Sequence, residues 1–202
     1  MRHRIIIALL LCLSATSAVA QIPTSGNVFF GYSYYNTVSS ANRINTNGWE
    51  ASFEGKIVTF LSLVADFDGH YSGTVNFPVS DCSGISCPVS PSTGPIPSSG
   101  GYLSANILEH NFLFGPRVSV PAGRLRPFGE FLVGAGHINV NSAGSNTSFA
   151  SDTSFATALG GGLDYRLIRI LAWRVQGDYV LTRFFGTVQN NVRISTGIVV
   201  RF

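Results

Sequence analysis

Along residues 190–202 the side chains alternate without a break. Val192, Ile194, Thr196, Ile198, Val200 and Phe202 occupy one face, and Arg193, Ser195, Gly197, Val199 and Arg201 the other. A period of two is the mark of a strand, and a strand with unlike faces must lie between two unlike surroundings. The pattern returns upstream. Trp173, Val175, Gly177, Tyr179 and Leu181 oppose Arg174, Gln176, Asp178, Val180 and Thr182. Leu61, Leu63, Ala65, Phe67 and Tyr71 oppose Ser62, Val64, Asp66, Asp68 and His70, and Trp49, Ala51 and Phe53 oppose Glu50, Ser52, Glu54 and Lys56. The alternation predicts strands at 27–36, 47–56, 61–72, 103–117, 126–139, 153–166, 171–182 and 190–202. Long and short connections alternate between them, with Pro121-Ala122-Gly123 marking one of the short turns.

Composition decides which face meets what. Charged residues are 11% of the chain, where soluble domains carry about 25%. Of the ten acids, Glu50, Glu54, Asp66, Asp68, Glu109, Glu130, Asp164 and Asp178 all fall on the polar faces; Asp81 and Asp152 fall in expected loops. Lys56 is the sole lysine, whereas a water-facing sheet surface would carry many. The apolar faces hold aromatics, among them Tyr32, Tyr34, Trp49, Tyr71, Phe112, Phe114, Tyr165, Trp173 and Phe202, as interfacial girdles require. After the first twenty residues no run of 18 apolar residues occurs, which excludes a helical span. The expected fold is therefore all-β: an eight-stranded antiparallel up-and-down transmembrane barrel, apolar outside and polar within. An even strand number and alternating loop lengths put both chain ends on the side of the short turns.

Residues 1–20 read as a signal peptide: basic Arg2 and Arg4, apolar Ile5 to Leu13, and Ala18-Val19-Ala20 before a cleavage between Ala20 and Gln21. The barrel domain is then 21–202. Without the leader the 13 bases fall to 11 against 10 acids, so the basic balance is a targeting feature and no nucleic-acid partner is expected. Cys82 and Cys87 sit close together in the long expected loop 73–102, and in an exported chain they are expected to form a disulfide.

The segments Phe112-Leu-Phe-Gly-Pro-Arg-Val118 and Arg126-Pro-Phe-Gly-Glu-Phe-Leu-Val-Gly-Ala-Gly-His137, and the ending Gly197-Ile-Val-Val-Arg-Phe202, resemble the OmpA-like family of outer-membrane β-barrels, opacity-type proteins included. The resemblance runs through the mature chain in strand order and concerns the barrel alone; the peptidoglycan-binding domain that follows the barrel in OmpA has no counterpart before Phe202. It implies residence in the bacterial outer membrane, with the bilayer and lipopolysaccharide as surroundings. It also implies that Phe202, with Val200, Ile198 and Ile194 behind it, serves as the signal read by the outer-membrane assembly machinery.

Three places in the sequence hold residue types that can carry chemistry. His110 and His137 fall on the lipid face, where a lipid A-modifying barrel would set a Ser two residues later; here those places hold Phe112 and Asn139. Asp66, Asp68 and His70 alternate along one strand, but among so many counter-charges they read as salt-bridge partners rather than metal ligands. Gly160-Gly161-Gly162 interrupts a strand with no helix behind it, so it has no helix dipole with which to hold a phosphate. No catalytic, cofactor or metal residue is expected. The eight inward acids face Lys56, Arg117, Arg166, Arg174, Arg193 and Arg201, with His70 in reserve. Such a near balance suits a closed network that plugs the lumen. The expected role is structural or surface-interacting, the alternatives being a narrow channel for ions or small solutes and a lipid-modifying enzyme.

Overall fold

The computed structural model describes residues 25–38, 43–78, 102–143 and 148–202. Within these residues nine strands form one antiparallel sheet: β1 (Gly26–Val38), β2 (Arg43–Lys56), β3 (Leu61–Tyr71), β4 (Val75–Pro78), β5 (Tyr102–Ser119), β6 (Leu125–Ser142), β7 (Ser148–Arg166), β8 (Leu171–Thr182) and β9 (Gln189–Arg201). Each pairs with its sequence neighbour, β9 returns to β1, and β3 pairs across to β5, so the sheet closes. The short β4 runs along the outer part of β5 after a three-residue break in the line of β3, so the barrel has eight staves. Among the described residues no helix is long and apolar enough to cross a membrane.

Closure brings the chain ends together. Gly26 N donates to Phe202 O at 3.0 Å and Phe202 N returns the bond to Gly26 O at 3.1 Å. The tight turns 57–60, 120–124 and 167–170 lie at this same end, and the chain turns past Gly123 with φ at 66°, where glycine is at ease.

The faces divide as the alternation requires. Phe30, Val175, Ile194, Ile198 and Val200 point out, whereas Arg117, Arg174, Arg193 and Glu50 are fully enclosed. A strand needs about 9–11 residues to span a bilayer, close to the 11 of β3 and the 12 of β8. The 18 or 19 residues of β5, β6 and β7 carry these strands beyond it at the long-loop end.

Three expectations need correction here. The outer hairpins run further than the alternation indicated, β1 and β2 pairing out to Val38↔Arg43, and Asp152 lies within β7 rather than in a loop. At the outer ends of β1 and β2, as at Asn36, Thr37, Ile44 and Asn45, both faces are partly exposed, so no alternation is left to read. The hairpin continues there through polar cross-strand pairs such as Asn36 with Asn45, Tyr32 with Asn47, and Ser104 with Asn76. Phe112 and Phe114 also sit in mid-belt rather than in a girdle, with Phe112 packed on Phe67 at 4.7 Å between ring centres. Residues 1–20, the Ala20/Gln21 junction, Cys82 and Cys87 lie outside the described residues.

Candidate functional site

Among the described residues the lumen is where the fold gathers polar and charged side chains out of reach of water, and it is layered. The layer next to the short turns is built by the ends of β2, β5 and β7 and the beginnings of β6 and β8. Arg117 Nε donates to Glu130 Oε2 at 2.7 Å and its Nη1 to Glu54 Oε2 at 3.0 Å. Arg174 holds Asp164 with two bonds, Nε to Oδ1 at 2.7 Å and Nη2 to Oδ2 at 3.2 Å, the fork geometry that suits guanidinium and carboxylate. Arg126 donates to Glu54 and, at 2.9 Å from Nε, to Ser119. The Phe128 ring lies between two guanidiniums, Arg117 at 4.4 Å and Arg174 at 4.6 Å from its centre. Three enclosed acids thus meet three arginines.

The next layer outward is built differently. Arg193 stands at its centre. Its Nε donates to Asp178 Oδ2 at 3.0 Å and its Nη1 to both Asp66 Oδ1 at 2.7 Å and Asp68 Oδ2 at 2.6 Å, while Glu50 lies 3.5 Å from Nε. Neutral donors hold several of the other acid oxygens. Gln176 Nε2 donates to Glu50 at 2.5 Å and Ser195 Oγ to Glu50; Tyr35 Oη donates to Glu109 at 3.0 Å, and Asn111 Nδ2 to Asp68 at 2.9 Å. Four of these acids share one arginine, and the fifth, Glu109, has none within salt-bridge distance among the described residues. Asp66 Oδ2 and Asp178 Oδ1 have no hydrogen-bond partner among the described residues.

His70 belongs to this layer. Its ring stacks on Tyr35 at 4.6 Å, its Nε2 lies 2.9 Å from Ser33 Oγ, and its Nδ1 lies 3.1 Å from Asp68 Oδ1, though off the N–H axis. An acid, an imidazole and a hydroxyl in sequence are the parts of a nucleophilic triad. All three are enclosed, and Ser33 is bonded to Ser195 Oγ at 2.9 Å, so no substrate carbonyl can approach. Among the described residues no group of three or more His, Cys, Asp or Glu is placed to hold a metal ion.

Beside the acid-rich layer and beyond it the lumen is apolar. Val64, Leu113, Leu132, Ala156, Ala158 and Val180 form one buried cluster with Tyr35. Ala105, Ile107, Ile138, Val140 and Phe184 form a second at the outer mouth. Phe184 comes from a single 3-10 turn, Phe184–Gly186, which folds inward over the barrel. The turn needs left-handed backbone at Phe185 (φ 51°) and Gly186 (φ 75°). Room for the ring comes from β6, where a Cβ on Gly136 would stand 2.9 Å from it.

Of the residues expected in the network, Glu50, Glu54, Asp66, Asp68, Glu109, Arg117, Glu130, Asp164, Arg174, Asp178 and Arg193 are brought together. Arg201 stays at the rim, 3.7 Å from Asp164 and partly exposed. Lys56 and Arg166 make no ion pair among the described residues, and Arg166 is exposed. Their parity along the strand is inward, but they adjoin the turns, where a long side chain reaches water more cheaply than it enters a filled lumen. The expected near balance is therefore replaced by an acid excess. Gln176 and Ser195 were expected on the polar faces but not in the network, and Arg126, Asn111, Tyr35 and Ser33 were missed; Arg126 shares the parity of Glu130 and Asn111 that of Glu109, whereas β1, which supplies Ser33 and Tyr35, holds no charge to mark its inward face.

On the outer face His110 packs edge-on against Tyr71 at 5.7 Å, and His137 Nδ1 lies 2.7 Å from Thr153 Oγ1 of the neighbouring strand. That hydroxyl comes from cross-strand register, which spacing along one strand does not reveal. No carboxylate joins the pair among the described contacts.

No protein-family profile matches the chain, and no curated protein matches it in sequence. Solved structures do. Neisserial surface protein A is similar with a TM-score of 0.63 at 13% identity, covering 88% of this chain and 97% of that one. Ail of Yersinia pestis, in complex with the heparin analogue sucrose octasulfate, is similar with a TM-score of 0.55 at 13% identity, covering 88% and 98%. The chain is a transmembrane β-barrel with the fold of the eight-stranded outer-membrane proteins, the fold that the resemblance to the OmpA-like and opacity-type barrels implied.

Proposed function

We propose that this protein is a closed, non-conducting barrel of the bacterial outer membrane that holds its outer hairpins at the cell surface as an interaction surface. The observation that carries this reading is the filled lumen. Two charge layers, an apolar cluster beside them and a second at the outer mouth fill the lumen, and their members, from Arg174 to Phe184, are enclosed. An eight-stranded barrel is only wide enough for its inward side chains to fill it. Beyond the bilayer the outer hairpins present amides, hydroxyls and tyrosines, such as Asn45, Asn47, Tyr32 and Ser148, which suit uncharged hydrogen-bonding partners. The sulfated ligand that the Ail structure names is not carried over. At this end Arg183 is the one arginine whose side chain is described and exposed, and sulfates call for several bases.

The mature chain would reach this place after cleavage between Ala20 and Gln21. Its last strand, with Phe202, Val200, Ile198 and Ile194 facing outward, would be offered to the assembly machinery, and its outer belt to lipid and lipopolysaccharide. A Cys82–Cys87 disulfide would shape the loop between β4 and β5.

A narrow cation channel is the second reading, favoured by the acid excess around Arg193, since selective pores use rings of one sign. Planar-bilayer recording separates the two. The closed reading expects no steady open level; a steady cation-selective current would replace it with the channel. For the enzymatic alternative, mass analysis of lipid A from cells making the protein is expected to show no change.

A further inference from the structure

The short-turn end of the barrel, which is the periplasmic end, carries two features that do not suit a surface in water. The first is apolar turn tips. Ile57, Val58 and Phe60 in one turn, and Leu167, Ile168 and Ile170 in another, are each close to half exposed or more, as is Val120 in the turn between them. Turns that face water use Asn, Gly, Ser and Asp instead. The two outer turns of this set are built alike. Ile57 N and Val58 N both donate to Leu61 O, at 3.0 and 3.1 Å, and Leu167 N and Ile168 N both donate to Leu171 O at the same distances. Their sequences also match in kind: Lys56-Ile-Val-Thr-Phe-Leu61 and Arg166-Leu-Ile-Arg-Ile-Leu171, each a base, two apolar residues, a variable one and two more apolar.

The second feature is charge of one sign. Arg124, Arg166 and Arg169 are exposed at these turns and Lys56 is half-buried beside them, while the acids of this end, Glu54 and Asp164, are sealed in the lumen on arginine partners. These bases begin where the lipid belt ends. Arg166 follows the outward Tyr165, which pairs with outward Trp173, and Phe202 stands on the same rim.

We propose that this end is an interfacial anchor: the apolar tips enter the headgroup–acyl boundary of the inner leaflet, and the surrounding bases bind the phosphates of anionic phospholipids. Apolar tips with an adjoining basic ring are the composition of surfaces that lie in a membrane interface, and the bases select lipids with net negative charge over zwitterionic ones. Continuity with the lipid belt favours this occupant. A second copy of the same end would bring like charges together.

The test uses the full mature chain in phosphatidylcholine vesicles carrying a trace of spin-labelled phosphatidylglycerol or phosphatidylcholine. The labelled phosphatidylglycerol is expected to associate more strongly by about fivefold at low salt, a preference that shrinks as salt screens the ring. In the Lys56→Gln/Arg124→Gln/Arg166→Gln/Arg169→Gln variant it is expected to fall to parity, with heat-modifiable gel migration confirming the fold. Absence of a preference in the unaltered protein, as an acidic periplasmic protein partner would produce, or a preference unchanged in the variant, overturns the proposal. A second arm places Ile168→Trp in a Trp49→Phe/Trp173→Phe background. Quenching by phospholipid brominated near the headgroup is expected; solvent-like emission untouched by that lipid overturns the insertion of the tips.

Discussion

The two charge layers of the lumen are neighbours on the same strands, yet they are assembled by different rules. In the layer next to the short turns, Glu54, Glu130 and Asp164 meet Arg117, Arg126 and Arg174, and each guanidinium touches more than one partner. One layer further out, Glu50, Asp66, Asp68 and Asp178 surround Arg193, Glu109 stands beyond its reach, and amides and hydroxyls supply the other donors. The first layer is redundant: Glu54 keeps Arg117 if Arg126 is lost. The second hangs on one cation. Enclosed charges are tolerated only when paired, so the layers should differ sharply in how they fail.

The largest effect is expected at that cation. Arg193→Ala leaves the carboxylates of β2, β3 and β8 without a base within the layer and should cost about 3–5 kcal/mol, the range for breaking a buried pair, or prevent folding. Arg126→Ala, at the edge of the redundant layer and slightly exposed, should cost much less. Urea unfolding in lipid, followed by the heat-modifiable shift, measures both. Equal losses would break the contrast between the layers.

How much of this was legible depends on where alternation has a cause. In β8 and β9 the two faces meet lipid and an enclosed lumen, so Trp173 to Leu181 and Val192 to Phe202 announced both strand and face. At the outer ends of β1 and β2 both faces meet water, and the pairing of Thr37 with Ile44 left no periodic trace. The acids of the lumen were legible because lipid forbids them elsewhere. Its bases were not equally so: Lys56 and Arg166 are long enough to leave, while Arg126, one residue into its strand, goes in. Phe184 was invisible, because a loop has no period and the placement of its ring depends on backbone angles at Phe185 and Gly186.

The next effect sets one face against the other at adjacent residues. Val175 faces lipid and Gln176 faces the acid-rich layer. Val175→Arg should impair insertion by about 2–4 kcal/mol, the range for an arginine in mid-barrel on the lipid side. Gln176→Lys should be tolerated far better, because it delivers a second cation to Glu50 and Asp178. Folding yield into vesicles reads both, and equal tolerance would mean the faces are reversed.

A smaller change probes the same layer with the opposite sign. Gln176→Glu keeps shape but turns a donor into a sixth acid, leaving Glu50 and Asp178 facing a like charge. A loss of about 1–3 kcal/mol is expected, the scale of an unsatisfied buried group. Stability unchanged in Gln176→Glu and in Gln176→Lys alike would show that the layer does not feel its charge count.

The smallest effect tests whether the neutral donors matter once Arg193 is in place. Tyr35 contributes in two ways: its hydroxyl donates to Glu109 at 3.0 Å, and its ring lies flat on His70, with an interplanar angle of 26°. Tyr35→Phe removes the first and leaves the second. Glu109 has no arginine within salt-bridge distance among the described residues, but Asn111 Nδ2 still donates to it at 3.3 Å, so the acid keeps one weak donor. The loss should therefore be about 1 kcal/mol, the net worth of a single hydrogen bond, well below that of Arg193→Ala. The double variant Tyr35→Phe/Asn111→Leu strips Glu109 of both donors, and its cost should exceed the sum of the single ones, since only then is the carboxyl stranded. Strict additivity, read from urea midpoints of the four proteins, would mean that Glu109 is not held by these donors. The outer part of the acid-rich layer would then be packed rather than bonded.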